Sequence, residues 1–361
     1  MPENRKIPLL FEKYPNLEAN IPWIKLAPLR TPVKKLTILE NRLGIKSLWV
    51  KCDNISSPLY GGNKVRKFEF ILAETKNNGY KKVMTAGGLG SNHCVANAIF
   101  CHQLNLKPSS FLIDQPITPH VRKNLLLNLY FKNKIFYTEE YNNSQRDPNV
   151  YYMAPGGSTP LGTLGFINAA LEIKNQINNN ELPEPDYLFV ACGSSGTTAG
   201  LLLGVKIADL NTKIHTVQTS TSLYSSLNTV RRLTRKTWKF LIKHDNSIPK
   251  APLEQLYFHR EFFGGEYGLP TQEGINAVKL IKETENIKLE TTYTGKTFAA
   301  LLDFVRRNKK VVKDKTILFW NTYNSRDFSD ILKNLDYHNL PEEIHWVFEN
   351  PLPDFGFDIK I

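Results

Sequence analysis

The chain has four cysteines, at 52, 94, 101 and 192, and no two of them form a Cys-x-x-Cys pair. That spacing argues against a disulfide framework and against a structural zinc site. Cys94 and Cys101 are expected instead on one buried helix face. The eight histidines are scattered, with no His-x-x-x-His pair, so no metal is expected. No apolar run approaches the roughly 20 residues needed to cross a bilayer. The opening residues, Met1-Pro2-Glu3-Asn4-Arg5, lack an apolar signal core. These absences read as a cytoplasmic protein with no membrane partner. There is no repeat at solenoid periods.

What is present is the composition of a globular chain, 41% hydrophobic and 22% charged over 361 residues, enough for one large or two medium domains. The formal net charge is +12. Basic residues cluster in two places, Arg231, Arg232, Arg235, Lys236, Lys239 and Lys243, and Arg306, Arg307, Lys309, Lys310, Lys313 and Lys315. No nucleic-acid-binding motif accompanies either cluster. They read as solvated helix faces, and no nucleic-acid partner is expected. The positive field favours a small anionic substrate.

Short apolar runs alternate with amphipathic stretches, which predicts an α/β fold with parallel sheets. Strands are expected around Leu48–Val50, Lys82–Ala86, Ser110–Ile113, Lys134–Phe136, Leu188–Ala191, Ile214–Val217 and Thr316–Trp320. Helices are expected from Ser91 to Leu104, His120 to Tyr130, Gly162 to Gln176, Thr197 to Ala208, Thr271 to Thr284 and Lys296 to Arg307, with a long basic helix over 222–243. The Asn-rich segment 138–150 reads as a loop. Two consecutive strand–helix sets predict two lobes with a cleft between them.

Three glycine-containing turns carry the chemistry. In Gly61-Gly62-Asn63-Lys64 a tight turn delivers a lysine to the first turn of a helix. A cation is disfavoured there by the helix dipole, but the placement suits a lysine that bonds an aldehyde cofactor. In Gly87-Gly88-Leu89-Gly90-Ser91-Asn92-His93 a strand ends in glycines and a helix starts at Ser91. Its free amides form an anion site, with Ser91 and Asn92 available either as helix caps or as ligands of a carboxylate and a cofactor oxygen. In Cys192-Gly193-Ser194-Ser195-Gly196-Thr197-Thr198 small residues again link a strand to a helix. This reads as a cradle for a single phosphate. It lacks the Lys-Ser/Thr ending of a nucleoside-triphosphate loop and the acidic ribose ligand of a dinucleotide site. Tyr267 and Tyr293, the latter in Tyr293-Thr294-Gly295-Lys296, are tyrosines that serve either packing or catalysis. A reactive lysine, a one-phosphate loop and a carboxylate site together imply pyridoxal phosphate acting on a small amino acid.

At this point the chain resembles the fold-type-II pyridoxal-phosphate enzymes, in particular the group of D-cysteine desulfhydrases and 1-aminocyclopropane-1-carboxylate deaminases. The resemblance runs from Leu29-Arg30-Thr31-Pro32 to Trp320-Asn321-Thr322 and includes Pro155-Gly156-Gly157-Ser158. It implies a tryptophan-synthase-β-like fold of two lobes, each with a mostly parallel sheet flanked by helices. Residues 1–64 and 179–361 would form the large cofactor-binding domain, with 65–178 a small domain inserted in it. It also implies a homodimer. By this similarity Lys64 is the Schiff-base lysine and Asn92 meets the cofactor's ring hydroxyl. Ser91, Asn92 and His93 bind substrate, Gly193, Ser194, Ser195, Gly196 and Thr197 hold the phosphate, and Tyr267 and Tyr293 flank the ring.

The residue types favour β-elimination over ring opening. Opening a cyclopropane offers no heteroatom leaving group and demands a carboxylate near the ring nitrogen. The deaminases resemble one another in having Glu after the second tyrosine, where this chain has Thr294. A hydroxyl suffices for elimination, and by resemblance it is that of Thr322. The expected activity is a lyase releasing pyruvate, ammonia and sulfide from D-cysteine. Deamination of the cyclopropane amino acid, action on another D-amino acid, and cofactor binding without lyase activity stand as alternatives. The chain departs from its relatives at Asn321-Thr322-Tyr323-Asn324, where His-Thr-Gly-Gly is usual. It also has Gly90 for a usual Gln and Val95-Ala96 for a usual Arg-Gln pair. A tail from Asn339 to Ile361, with Trp346, Phe348, Phe355 and Phe357, extends past the matched region to pack on the body or on another subunit.

Overall fold

The computed structural model describes residues 7–137 and 147–356. Most of the segment read as a loop over 138–150, the opening residues through Arg5, and Phe357 lie outside the described residues.

The chain begins with α1 (Leu9–Lys13), then β1 (Val33–Lys35), α2 (Thr37–Leu43) and β2 (Ser47–Lys51). The lysine-bearing helix α3 (Lys64–Asn77) leads to β3 (Lys82–Gly88), α4 (Asn92–Gln103), β4 (Lys107–Ile113), α5 (Pro119–Tyr130), β5 (Lys134–Tyr137) and β6 (Val150–Tyr152). Then come α6 (Pro160–Asn178), β7 (Tyr187–Cys192), α7 (Gly196–Ile207), β8 (Lys213–Gln218), α8 (Leu227–Leu241) and β9 (Leu256–His259). The chain closes with α9 (Gln272–Glu285), α10 (Thr294–Arg307), α11 (Lys309–Val312), β10 (Thr316–Trp320), α12 (Ser329–Leu332) and α13 (Trp346–Glu349).

Two sheets form. The larger has the order β1-β2-β10-β7-β8-β9 and the smaller β5-β4-β3-β6. Every pairing is parallel except β1 with β2. Side-chain alternation explains the layering of the large sheet. Leu188, Val190, Leu318 and Trp320 face the core shared with α6 and α7, whereas Tyr187, Phe189, Ile317 and Phe319 face α9 and α10. With both faces covered, the central strands read as continuous apolar runs. Cys94 and Cys101 are both buried on α4.

One boundary differs from the sequence-based expectation for a local reason. The basic helix starts at Leu227 rather than 222, because Ser226 and Thr229 form a reciprocal capping box that fixes its first turn. Helix α6 buries Leu164, Phe166, Ile167 and Ile173 in the same core as β7 and α7. The tail packs on the body, one of the two places expected for it. Leu340, Ile344 and Val347 pack on Leu112, Val121 and Leu125 of the small lobe, and the Arg122 guanidinium donates to the Val347 carbonyl at 2.8 Å.

Beneath the lysine turn lies a buried network of two cations and two anions. Arg66, on the first turn of α3, donates to Asp53 Oδ1 and Oδ2 at 2.7 and 2.9 Å and to Glu172 Oε2 at 2.9 Å. Lys51, at the end of β2, donates to Glu172 Oε1 at 2.5 Å. Trp320 Nε1, at the end of β10, donates to Asp53 Oδ2 at 2.8 Å. All four charged side chains are at most 1% exposed. Burial pushes the Glu172 carboxyl up, but Arg66 and Lys51 outweigh it and hold it well below the carboxylate range. Its contribution to stability is therefore complete at neutral pH and is lost only in strong acid. Glu172→Gln leaves two buried cations facing a single carboxylate. We expect it to lower unfolding free energy by about 3 kcal/mol or more in urea titrations at pH 7.

Candidate active site

The turn before α3 is set by sterics. Gly62 has φ +90°, and a Cβ there would lie 2.7 Å from the Thr322 carbonyl oxygen. The Gly62 amide donates to Asp53 O at 2.6 Å, tying the turn to the buried network. Lys64 follows as the first residue of α3, its amine donating to Asn63 Oδ1 at 2.8 Å. Asn63 Nδ2 in turn donates to Thr197 Oγ1 at 3.1 Å. Burial pushes the Lys64 ammonium down to about 8.

Lys64 opens into a cavity of about 420 Å³. Ser91, Asn92, His93, Gly193–Thr197, Tyr267, Tyr293 and Thr322 line the same cavity, so the fold brings together every candidate site residue read from the sequence. Ser91 is the N-cap of α4, its Oγ accepting from the Cys94 amide at 3.3 Å while the side chain lines the cavity. Its two readings, cap and ligand, are therefore compatible. Thr85 gives its one hydroxyl hydrogen to Met153 O (3.1 Å), so the 2.8 Å contact with His93 Nε2 makes that nitrogen the donor. The His93 imidazole is kept neutral, chiefly by burial and then by Lys64 and Lys67.

The 193–197 segment forms the turn into, and the first two residues of, the 12-residue helix α7. Ser195 adopts φ +68°, and its hydroxyl donates to the Tyr224 carbonyl at 2.6 Å. Its side chain thus anchors the turn while the residue lines the cavity with the rest of the cradle. Ser194 Oγ lies 2.8 Å from Ser158 Oγ. A Cβ on Gly196 would sit 2.5 Å from Ser158 Oγ and 2.7 Å from Lys67 Nζ, so only glycine keeps this cradle open.

Lys67 is the group that sequence reading missed. It is 1% exposed, lines the cavity, and donates to Gly156 O and Ser158 Oγ at 2.9 and 3.3 Å. No carboxylate pairs with it among the described residues. An uncompensated buried ammonium is costly unless an anion joins it. Its position one helical turn after Lys64 was the available signal. Across the cavity the Tyr267 and Tyr293 hydroxyls are 2.6 Å apart. Burial pushes Tyr267 up to about 12 and Tyr293 well above its ordinary value, so both keep their protons at neutral pH. Lys296, in contrast, is bonded to the Phe263 carbonyl and lies outside the cavity lining.

A half-buried low-pKa amine, an anion cradle at a helix N-terminus and a second, buried amine without a carboxylate partner define a site for a phosphorylated aldehyde. Comparisons with known proteins agree. The family described as "Pyridoxal-phosphate dependent enzyme" matches residues 24–322, and the chain belongs to that family. A D-cysteine desulfhydrase of Yersinia pestis (strain Pestoides F) is 31% identical over 322 residues, covering 83% of this chain and 93% of the relative. A D-cysteine desulfhydrase of Serratia proteamaculans (strain 568) is 29% identical over 321 residues, covering 84% and 94%. Among solved structures, an ACC deaminase homologue superposes with TM-score 0.72 at 24% identity, covering 89% of this chain and 98% of that one. The fold is that of the fold-type-II enzymes, and the protein is a pyridoxal-phosphate-dependent lyase.

Two outcomes are expected of the cofactor-free protein. The neutral amine is the nucleophile, so capture of pyridoxal phosphate should quicken as pH rises and level off above about 8, followed by stopped-flow absorbance. Gly196→Asp, which fills the cradle with a carboxylate, should weaken cofactor affinity roughly tenfold or more in equilibrium titration while circular dichroism stays unchanged.

Proposed function

We propose that this enzyme eliminates the β-substituent of D-cysteine, giving pyruvate, ammonia and sulfide. The observation that carries the reading is the half-buried, low-pKa Lys64 amine opening into the same cavity as the anion cradle. The names of the two desulfhydrase relatives support D-cysteine as the substrate. Bound here, pyridoxal phosphate would supply an aldehyde that takes the substrate's amino group and a ring that draws electrons from the α-carbon.

The chain's own groups then divide the work. The amides of 193–197, Ser194, Thr197 and Lys67 hold the phosphate, and the amides at the start of α4 with Ser91 hold the substrate carboxylate. Lys64 Nζ accepts the α-proton, for which an amine titrating near 8 is suited. Tyr293 Oη, kept protonated and supported by Tyr267 Oη, holds a proton near the side of the departing thiolate. Thr322 offers a hydroxyl to the ring nitrogen. Half-buried and buried walls limit water, which slows competing hydrolysis. We take the enzyme to be a homodimer, as the resemblance implies, and to work in the cytoplasm.

A second reading, opening of 1-aminocyclopropane-1-carboxylate, has one observation in its favour. Glu290 lines the cavity, and its carboxylate accepts from the Thr294 amide at 2.7 Å and lies 3.0 Å from Thr294 Oγ1. A carboxylate thus reaches the position where the deaminases carry theirs in sequence. Against this, the same carboxylate also accepts from the Thr292 and Tyr293 amides, which ties it to the turn before α10.

Purified protein should release pyruvate from D-cysteine and little 2-oxobutyrate from the cyclopropane amino acid, read by coupled dehydrogenase assays. Lys64→Ala should reduce turnover by roughly three orders of magnitude or more, and Thr322→Val by about fivefold. Efficient 2-oxobutyrate release without D-cysteine turnover would transfer the assignment to the second reading.

A further inference from the structure

Asn92 is the first residue of α4 and lines the cavity. An asparagine side chain can present either its oxygen or its amide hydrogens to a ligand, and the two choices have opposite chemistry. Here the surroundings decide the choice, and the decision starts one residue further back, at Asn124 on α5.

The Asn124 Nδ2 lies 2.8 Å from the Gly90 carbonyl oxygen. A carbonyl only accepts, so the Asn124 amide must point its nitrogen at Gly90. The same nitrogen is 3.0 Å from Asn92 Oδ1 and 3.0 Å from His120 Nε2. Turning Asn124 over would set its oxygen against the Gly90 and Asn92 oxygens at once. With Asn124 fixed as a donor, the atom of Asn92 that faces it must be the oxygen. Tyr60 completes the arrangement, since its hydroxyl donates to the same Oδ1 at 3.1 Å. Both acceptor sites of that oxygen are then used. The Asn92 Nδ2 has no hydrogen-bond partner among the described residues, and it is left for whatever fills the cavity.

We propose that Tyr60 and Asn124 are positioning residues that hold Asn92 with its amide hydrogens toward the ring oxygen of the bound cofactor. This rests on reading the cavity as a pyridoxal-phosphate site. Neither residue lines the cavity, so each acts through Asn92. Tyr60 is 2% exposed and Asn124 1%, which removes water as a competing partner. They come from different parts of the chain, the loop before α3 and the middle of α5, and converge on one oxygen atom. A donor of fixed direction stabilises a negative ring oxygen over a protonated one, and so favours the form of the bound cofactor that absorbs visible light. A mobile amide would not hold that preference.

The test is a double-mutant cycle on the full chain, using pyridoxal phosphate itself as the probe. Tyr60→Phe deletes one donor and keeps the ring. Asn92→Ala deletes the group through which it acts. Two readouts are taken, the dissociation constant for pyridoxal phosphate and the intensity ratio of the visible and near-ultraviolet bands. We expect Tyr60→Phe to weaken binding about fivefold and to shift intensity from the visible to the near-ultraviolet band. In the Asn92→Ala background the same change should do neither. Unchanged affinity and band ratio in Tyr60→Phe would overturn the proposal. So would an equal loss in both backgrounds, which would mark Tyr60 as a packing residue only. Asn124→Leu, where it folds, should reproduce the shift to the near-ultraviolet, and an unchanged band ratio in that variant counts against the proposal. If the wild-type protein takes up no pyridoxal phosphate, the functional reading falls and this inference with it. Uptake by wild type together with an indifferent Tyr60→Phe removes this inference alone.

Discussion

The buried contact of Arg66 with Asp53 and Glu172 is the constraint on which the rest of the site depends. It joins the end of β2, the start of α3 and the middle of α6, and through Trp320 it reaches the end of β10. Lys51 balances the second negative charge, so the network is neutral as a whole. Such a network adds little over well-packed apolar groups, because desolvation offsets most of the attraction. What it fixes here is geometry. Arg66 stands two residues beyond Lys64, and Asp53 also holds the Gly62 amide. The turn that carries the lysine is therefore held on both sides.

Around that anchor the site is assembled by strand-to-helix turns. The β3–α4 turn contributes Ser91 and Asn92, the β7–α7 turn contributes the cradle, and the residues after β10 contribute Thr322. In parallel sheets the carboxyl ends of strands gather on one edge, and the following helices point their N-termini at it. The cavity thus collects free amides and partial positive charge from two helices, to which Lys67 adds an amine that an anion would hold protonated. Electrostatics alone fits it to an anion. The paired tyrosines and the buried amine then restrict which anionic molecule can react there.

Much of this was legible in the chain because it is local. Central strands such as Tyr187–Cys192 are apolar throughout, and glycine-rich turns between strand and helix have a steric cause that residue type reveals. Lys64 was visible for the same reason. What escaped was non-local. Arg66, Lys51 and Glu172 look like ordinary charges within amphipathic stretches, and nothing in their spacing says that they neutralise one another in the core. Lys67 was hidden in the same way, since its meaning depends on Ser158 and Gly156 some 90 positions away. The bond from the Ser195 hydroxyl to the Tyr224 carbonyl, 29 positions away, is equally invisible in the chain. The short edge strands β1, β6 and β9 carry too few residues to show a period. The docking of the tail on α5 depends on residues such as Leu340 and Val347, whose partners lie more than 200 positions earlier.

Burial pushes down the amines of five lysines, 51, 64, 67, 123 and 296, so the central assignment is a choice among comparable groups. Borohydride reduction of the cofactor-loaded protein fixes the cofactor permanently to whichever lysine carries it. Peptide mass mapping then identifies that lysine. The added mass should fall on Lys64 alone. Its appearance on Lys67, Lys51, Lys123 or Lys296, or its absence from every lysine in protein that holds the cofactor, would contradict the site described here.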